Sequence, residues 1–208
     1  MNIIRAKALM IALKNMGVEQ YIGAQKDGPT LEGLKRVVMA CMRCPLAQTR
    51  KTVVFGEGNA NADIVFIGEA PGEEEDNQGR PFVGRAGKLL DQLIERIGVK
   101  RNDVFICNVL KCRPPGNRDP EPDEIACCKD YLLAQLAIIR PRAICTLGRH
   151  AYNTLLGVDA AITRIRGKMT TFQGIPLLPT YHPSYLLRSQ GKIKEAREDM
   201  ETLRQFVK

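Results

Sequence analysis

The sequence predicts an α/β protein built on a parallel sheet with helices on both faces. Two observations point there. Short apolar runs of strand length alternate repeatedly with stretches of helical spacing, and runs such as Ile64–Ile67 are apolar without interruption, as strands covered on both faces are. A third observation places the chemistry. Ligands of such sheets bind beyond the carboxyl ends of the strands, so the segments after Ile67, Val109 and Thr180 are expected at one mouth.

The elements follow in order. Residues 2–16 space Ile3, Ile4, Ala8, Leu9, Ala12, Leu13 and Met16 as one face of a helix. GAQKDGPT at 23–30 breaks the pattern, so 1–28 reads as a helical extension with its linker and 29–208 as the main domain. Leu31 to Ala40 is helical and runs straight into Cys41-Met42-Arg43-Cys44. Asp63 to Ile67 is a buried strand closed by a glycine turn. Ala86 to Ile97 has Leu89, Leu90, Leu93, Ile94 and Ile97 at helical spacing. Asp103 to Leu110 reads as a strand, and Glu121 to Ile139 as a helix with Pro120 and Pro122 at its start. Ala143 to Leu147 is a strand, Arg149 to Leu156 a short helix and Arg164 to Thr171 a β-ribbon. Ile175 to Thr180 is a strand that delivers Tyr181-His182-Pro183, and Ile193 to Val207 closes the chain as a helix.

Composition narrows the class. The chain has 208 residues, 44% of them apolar, which fits one domain with an appendage and excludes disorder as the main state. Its longest apolar runs are six residues against the ~20 a membrane-spanning helix needs. The run Ala8–Leu13 behind Arg5 and Lys7 is too short for an export signal, and no small-residue cleavage site follows. A soluble cytoplasmic protein with no membrane partner is expected. The net charge of +8 suits a polyanion such as nucleic acid, against the plainer reading of a merely basic surface. Seven cysteines, an odd number, argue against a disulfide framework and for metal, cluster or thiol chemistry.

Four of those cysteines form a set. Cys41 and Cys44 make a C-x2-C pair, and Cys112 and Cys128 follow far downstream with fifteen residues between them. Four gathered thiolates hold zinc or an iron–sulfur cluster. Cys127 competes with Cys128, but adjacent helix positions point about 100° apart, and Cys128 shares the apolar face of Ile125 and Leu132. Cys107 and Cys145, inside strands, fit the plainer role of small buried hydrophobes.

The other candidates lie at the expected mouth. After the first strand comes Gly68-Glu69-Ala70-Pro71-Gly72, the acids Glu73 to Asp76, then Gly79-Arg80-Pro81-Phe82-Val83-Gly84. The glycines allow close backbone approach to a ligand. The segment is not a P-loop, since no Gly-Lys-Ser/Thr follows, and does not match the dinucleotide fingerprint. Its plain alternative is an acidic solvated turn. Asn108 ends the next strand, where it is either a reader of ligand or a turn cap. His182 gains weight from sharing the mouth with Glu69 and Asn108. His150, the other histidine, reads as a polar residue at a helix start with no functional case.

GEAPGEEED, GRPFVGRAG, NVLKCRPPGNRDP and HPSYLLR, in this order with the four cysteines, resemble the family 4 uracil-DNA glycosylases over about residues 29–208. The resemblance implies a three-layer fold with a four-stranded parallel sheet between helices, a [4Fe-4S] cluster on Cys41, Cys44, Cys112 and Cys128, and hydrolysis of the N-glycosidic bond of deoxyuridine in DNA. It implies a monomer acting on uracil-containing DNA, leaving an abasic site. By motif, Gly68, Glu69 and Ala70 line the uracil site, Phe82 stacks on the base, Asn108 reads its Watson–Crick edge, and His182 faces uracil O2. Glu69 is the expected carboxylate for water and the sugar cation, with Glu75 in reserve. Family 1 enzymes place an aspartate where this chain has Ala70, so carboxylate help is expected to be modest. In the same comparison Leu186 becomes the wedge that fills the gap left by the flipped base, with Leu187 competing, Tyr185 available for stacking, and Arg188 gripping a flanking phosphate. Family 5 enzymes share the cysteines but differ in the first motif. A related group that traps uracil-DNA covalently uses a histidine absent from residues 113–124 here. Two other classes, a non-catalytic iron–sulfur or zinc DNA-binding module and an electron carrier, leave Glu69, Asn108 and His182 without a use.

Overall fold

The structure is a computed structural model that describes residues 30–207; the extension expected over 1–28 lies outside the described residues. In chain order the elements are α1 (Leu31–Met39), α2 (Leu46–Thr49), β1 (Glu57–Gly58), β2 (Ile64–Gly68), α3 (Glu73–Gln78), α4 (Arg85–Arg96) and β3 (Phe105–Asn108). They continue as α5 (Pro122–Ile139), β4 (Ala143–Leu147), α6 (Arg149–Leu156), α7 (Ile162–Ile165), β5 (Thr170–Phe172), β6 (Ile175–Thr180), α8 (Pro183–Arg188) and α9 (Ile193–Leu203).

The strands form one sheet in the order β1-β3-β2-β4-β6-β5. The expected four parallel strands are its centre, β3-β2-β4-β6. Two short strands pair antiparallel at the edges, β1 on β3 and β5 on β6, so among the described residues the sheet has six strands rather than four. Strand residues alternate between two cores. Val65, Ile67, Phe105, Cys107, Ile144 and Leu177 face one, which α5 and α6 complete with Leu132, Leu136, Ala151 and Leu155. Ile64, Phe66, Ile106, Cys145 and Leu178 face the other, beneath Leu90 and Ile94 of α4 and Met200 and Leu203 of α9. Because both faces are covered, the strands carry no polar alternation, which is why they read as continuous apolar runs.

Three segments depart from the sequence reading. The acidic run is not a turn but α3, whose four acids occupy its first turn, where the exposed N–H groups favour negative charge. The proposed β-ribbon over 164–171 begins as the helical turn α7; only Thr170–Phe172 is strand, and its partner is β6. The strand expected from Asp103 is preceded by a tight turn at Arg101–Asp103 and spans Phe105–Asn108.

The order of the sheet positions the site. From β2 the chain adds β3 on one side and later β4 on the other, so the crevice beyond β2 is a topological switch point, the usual ligand position in an open α/β sheet. Gly68 pairs with Asn108, and Leu147 with Thr180, so the carboxyl ends of all four parallel strands finish level.

Candidate active site and cysteine cavity

A cavity of about 570 Å³ opens at those strand ends. Its wall includes Glu69 after β2, Asn108 at the end of β3, His150 after β4 and His182 after β6, together with Ala70, Glu75 and Phe82. The sequence reading brought together the residues after β2, β3 and β6 and missed the contribution of β4. The signal was present: Ala143–Leu147 is a parallel strand, so its carboxyl end had to reach the same mouth.

Phe82 and Asn108 meet over Gly68. A Cβ on Gly68 would stand 2.3 Å from Asn108 Oδ1 and 2.6 Å from Phe82 Cζ, so no side chain fits there. Phe82 itself holds a left-handed backbone with φ +50, rare for a bulky residue. Such strain costs roughly 1–3 kcal/mol and persists where surroundings fix it. Here Arg101 donates to the carbonyls of Phe82 and Pro81. The first turn of α4 also packs so tightly that a Cβ on Gly87 would stand 1.8 Å from the Phe82 oxygen.

Glu75 completes that clamp. Its Oε1 accepts the backbone N–H of Val83 (2.9 Å) and Gly84 (3.1 Å), and its Oε2 accepts that of Gly72 (3.1 Å). Both oxygens are committed to the backbone, so Glu75 shapes the pocket and is not a free base. That removes it as the reserve catalytic carboxylate.

Asn108 is 1% exposed, and its Oδ1 has no hydrogen-bond partner. Leaving a buried acceptor unpaired costs about 1–3 kcal/mol, so it calls for a ligand donor. The Asn108 carbonyl, by contrast, accepts from Lys111 Nζ at 2.7 Å.

His182 caps α8. Its Nδ1 lies 3.1 Å from the backbone N–H of Ser184 and 2.7 Å from Ser184 Oγ. A backbone N–H only donates, so Nδ1 is an acceptor and the neutral ring carries its proton on Nε2. Burial pushes the imidazole down to about 4, with Arg188 adding to the shift and Glu75 opposing it. The ring is therefore neutral at neutral pH. It tilts toward Phe82, centroids 5.6 Å apart. Hydrogen bonds from Thr180 to Asp199 (2.7 Å) and from Tyr181 to Glu195 (3.1 Å) anchor the end of β6 that carries it.

Glu69 is half-buried at the mouth. Burial raises its carboxyl above the usual range, His150 and Arg149 oppose this, and Asp119 adds to it. His150 Nε2 lies 3.8 Å from Glu69 and 3.3 Å from Asp119.

The expectation that Leu186 is a wedge does not hold. Leu186 is fully buried with Leu90 and Ile94 beneath α4. The reason is local: in the short helix α8 it sits three residues after buried Pro183, on the face turned to α4. Arg188 is exposed, and both Tyr185 and Arg188 line the mouth.

A second, smaller cavity lies on the α1/α5 side of the sheet. Cys41, Cys44, Cys112 and Cys128 all line it, with Cys127, Arg50, Lys111 and Tyr131. Cys41 and Cys44 come from the loop after α1, Cys112 from the segment four residues beyond Asn108, and Cys128 from α5. Arg50 Nη1 donates to Cys112 Sγ and the Lys111 backbone N–H to Cys128 Sγ, each at 3.3 Å. Cys128 is buried, and burial pushes its thiol up to about 12. Cys127 is half-buried and its Sγ meets the Arg43 carbonyl at 3.3 Å.

An α/β switch-point pocket with an aromatic face, a buried amide and a neutral imidazole defines a protein that recognises a flat, hydrogen-bonding ring. The family model of the uracil DNA glycosylase superfamily matches residues 55–206, and the chain belongs to that superfamily. Within it the chain is 48% identical to the type-4 uracil-DNA glycosylase of Thermotoga maritima over 184 residues, covering 86% of this chain and 95% of that protein. It is 48% identical to the type-4 enzyme of Sulfurisphaera tokodaii over 86% of this chain and 85% of that one. The type-5 uracil-DNA glycosylase of Pyrobaculum aerophilum matches at 31% over 74% of this chain and 82% of its own length. The type-4 resemblance read from the motifs thus extends along most of the chain. Among the described residues, no helix is long and apolar enough to cross a membrane.

Proposed function

We propose that the protein is a monofunctional uracil-DNA glycosylase of base excision repair, active as a cytoplasmic monomer. The single observation that carries the pocket assignment is the unpartnered Asn108 Oδ1, buried in the same cavity wall as Phe82 and His182. Uracil presents an N3–H donor beside the O4 acceptor, and one carboxamide matches both. Thymine and uracil share that edge, so rejection of the thymine methyl falls to the clamped wall around Glu75.

A uracil in duplex DNA must leave the stack, at a cost of a few kcal/mol. Stacking on Phe82 returns about 1–3 kcal/mol. The C1′–N1 bond then breaks, its electron pair passing to uracil, where negative charge gathers on O2. His182 Nε2–H donates to O2. A donor already in place is worth about 2.7–4 kcal/mol by comparison with other oxyanion sites. Being neutral, His182 stabilises the anion without transferring its proton. Water adds to C1′ opposite the departing base and loses a proton toward Glu69 or solvent. Glu69 and the DNA phosphates favour the transient sugar cation, as carboxylates do in glycoside hydrolysis. Uracil takes up a proton from water, and an abasic site remains. Arg188 at the rim meets a flanking phosphate.

The cysteine cavity suits a [4Fe-4S] cluster on Cys41, Cys44, Cys112 and Cys128. Zinc held by thiolates at about 2.3 Å needs its sulfurs roughly 3.8 Å apart. Among the described residues, the group of metal-ligating side chains whose ligand atoms all fall within 4.8 Å is Glu69, Asp119 and His150, not the cysteines. The donor set is all thiolate, and the hydrogen bonds to Cys112 and Cys128 are of the kind that tune such a group. Bound there, the cluster supplies a crosslink between α1, α5 and the segment after Asn108; the hydrolysis uses none of its redox chemistry.

The test is incubation with a uracil-containing oligonucleotide, followed by alkaline cleavage at abasic sites. Cleavage at the uracil position, with free uracil released, is expected. An intact oligonucleotide would overturn the reading.

A further inference from the structure

Among the described residues four charged side chains are buried: Asp76, Lys111, Glu124 and Asp199. Three have evident partners. Glu124 pairs with Arg118, Asp199 with Arg166, and Asp76 accepts the backbone N–H groups of Lys51 and Thr52. Lys111, 1% exposed and the sole cation of the four, meets only neutral acceptors: the Asn108 carbonyl at 2.7 Å and Gln135 Oε1 at 2.6 Å. Among the described residues, no carboxylate forms an ion pair with it. A buried ammonium without a counter-charge is costly and calls for one nearby. What lies nearby is sulfur. Lys111 shares the cavity wall with the four cysteines, precedes Cys112, and bonds Cys128 Sγ through its own backbone N–H.

We propose that Lys111 is a positioning residue: its ammonium balances the negative charge of the thiolate-held group on one side and fixes the Asn108 carbonyl on the other. This rests on the cluster reading above. The geometry supports a coupling. Asn108 ends β3, and the direction of its carboxamide follows from the backbone that Nζ holds. Gln135, on α5, holds Nζ from the far side, and its Nε2 donates to the Phe55 carbonyl at 2.8 Å. One side chain thus joins the strand end that reads uracil to the helix that carries Cys128. Without the thiolate charge, the ammonium is buried uncompensated and its hold on the strand end weakens.

The test uses purified, iron-loaded protein and Lys111→Met, which keeps the length and removes the charge. A nearby cation favours the more negative, reduced form of a bound group, so Lys111→Met is expected to lower its reduction potential in voltammetry. Uracil excision from a single-stranded oligonucleotide is expected to fall about tenfold, mainly in kcat. Gln135→Glu is the second variant. It keeps the contact to Nζ and neutralises the charge in place, and the same downward shift in potential is expected even if Lys111→Met does not fold. An unchanged potential in a folded, iron-containing variant overturns the charge role. A lowered potential with an unchanged excision rate overturns the coupling to Asn108. Wild-type protein that carries no iron overturns the cluster reading instead, and with it this inference.

Discussion

The proposed uracil pocket and the cysteine cavity lie four residues apart in the chain, at Asn108 and Cys112, yet they are built in opposite ways. In the pocket the decisive atoms are left open: Asn108 Oδ1 has no partner, and His182 keeps its Nε2 proton free because Nδ1 is occupied. At the cysteines the outer bonds are already in place, from Arg50 to Cys112 and from Lys111 to Cys128. A reading site accepts an unsatisfied group so that only the right ligand satisfies it. A holding site is arranged in advance because its occupant is to stay. Substitutions in the pocket should therefore change rate with little loss of stability, whereas those at the cysteines should change yield and stability first.

The largest expected effect is at the cysteines. Cys128→Ala should lose the brown colour, the absorbance near ~400 nm of thiolate-bound iron and much of the soluble yield. Cys127→Ala should keep all three, as its sulfur faces the Arg43 carbonyl. The reverse pattern would exchange the two assignments. Leu186→Ala comes next. It removes a fully buried side chain, so a stability loss of about 2–5 kcal/mol is expected in denaturant melts. Excision should fall by the same factor on U·A, U·G and single-stranded substrates. A loss confined to the U·A duplex would restore the wedge. His182→Ala should lower kcat by about 10²–10³-fold, the worth of one oxyanion donor, while stability falls only by the roughly 0.5–2 kcal/mol that a lost helix cap costs.

The pH response is the smallest effect. The folded His182 titrates near 4, below the ~6.5 of a free imidazole. A depressed pKa contributes stability that is fully present above about pH 6.5 and is lost as pH falls toward 4. Wild-type stability should decline through that window, and His182→Gln should remove this part of the decline. An identical slope in the variant would contradict the lowered titration of His182.

Much of this was legible in the sequence, for reasons that differ by region. The parallel core was readable because two-sided burial leaves an unmistakable apolar run, as in Ile64–Ile67. The edge strands were not: Glu57–Gly58 is two residues long and half polar, and pairing rather than composition makes it a strand. The spacing of Cys41, Cys44, Cys112 and Cys128 pointed to one site, and the four line one cavity together with Cys127. Leu186 failed because a motif gives position along the chain but not rotation about a helix. Pro183 and Leu186 point to the same side, and that side belongs to α4. Lys111 was hidden for a related reason, as was the backbone clamp made by Glu75, a residue the motifs named only as a reserve carboxylate. Glu75 meets backbone N–H groups, and Lys111 a backbone carbonyl and the Gln135 side chain, all brought close only by the fold.

The central claim is that Asn108 holds an open acceptor for the uracil edge. Asn108→Ala, loaded with iron as the wild type is, tests it under single-turnover conditions on a uracil-containing oligonucleotide, with thermal melting alongside. The account predicts an excision rate lower by about 10–10²-fold and a melting temperature equal to or above that of the wild type, because a buried unpaired oxygen has been removed. An excision rate within twofold of wild type, or a rate loss fully matched by a lower melting temperature, would contradict it.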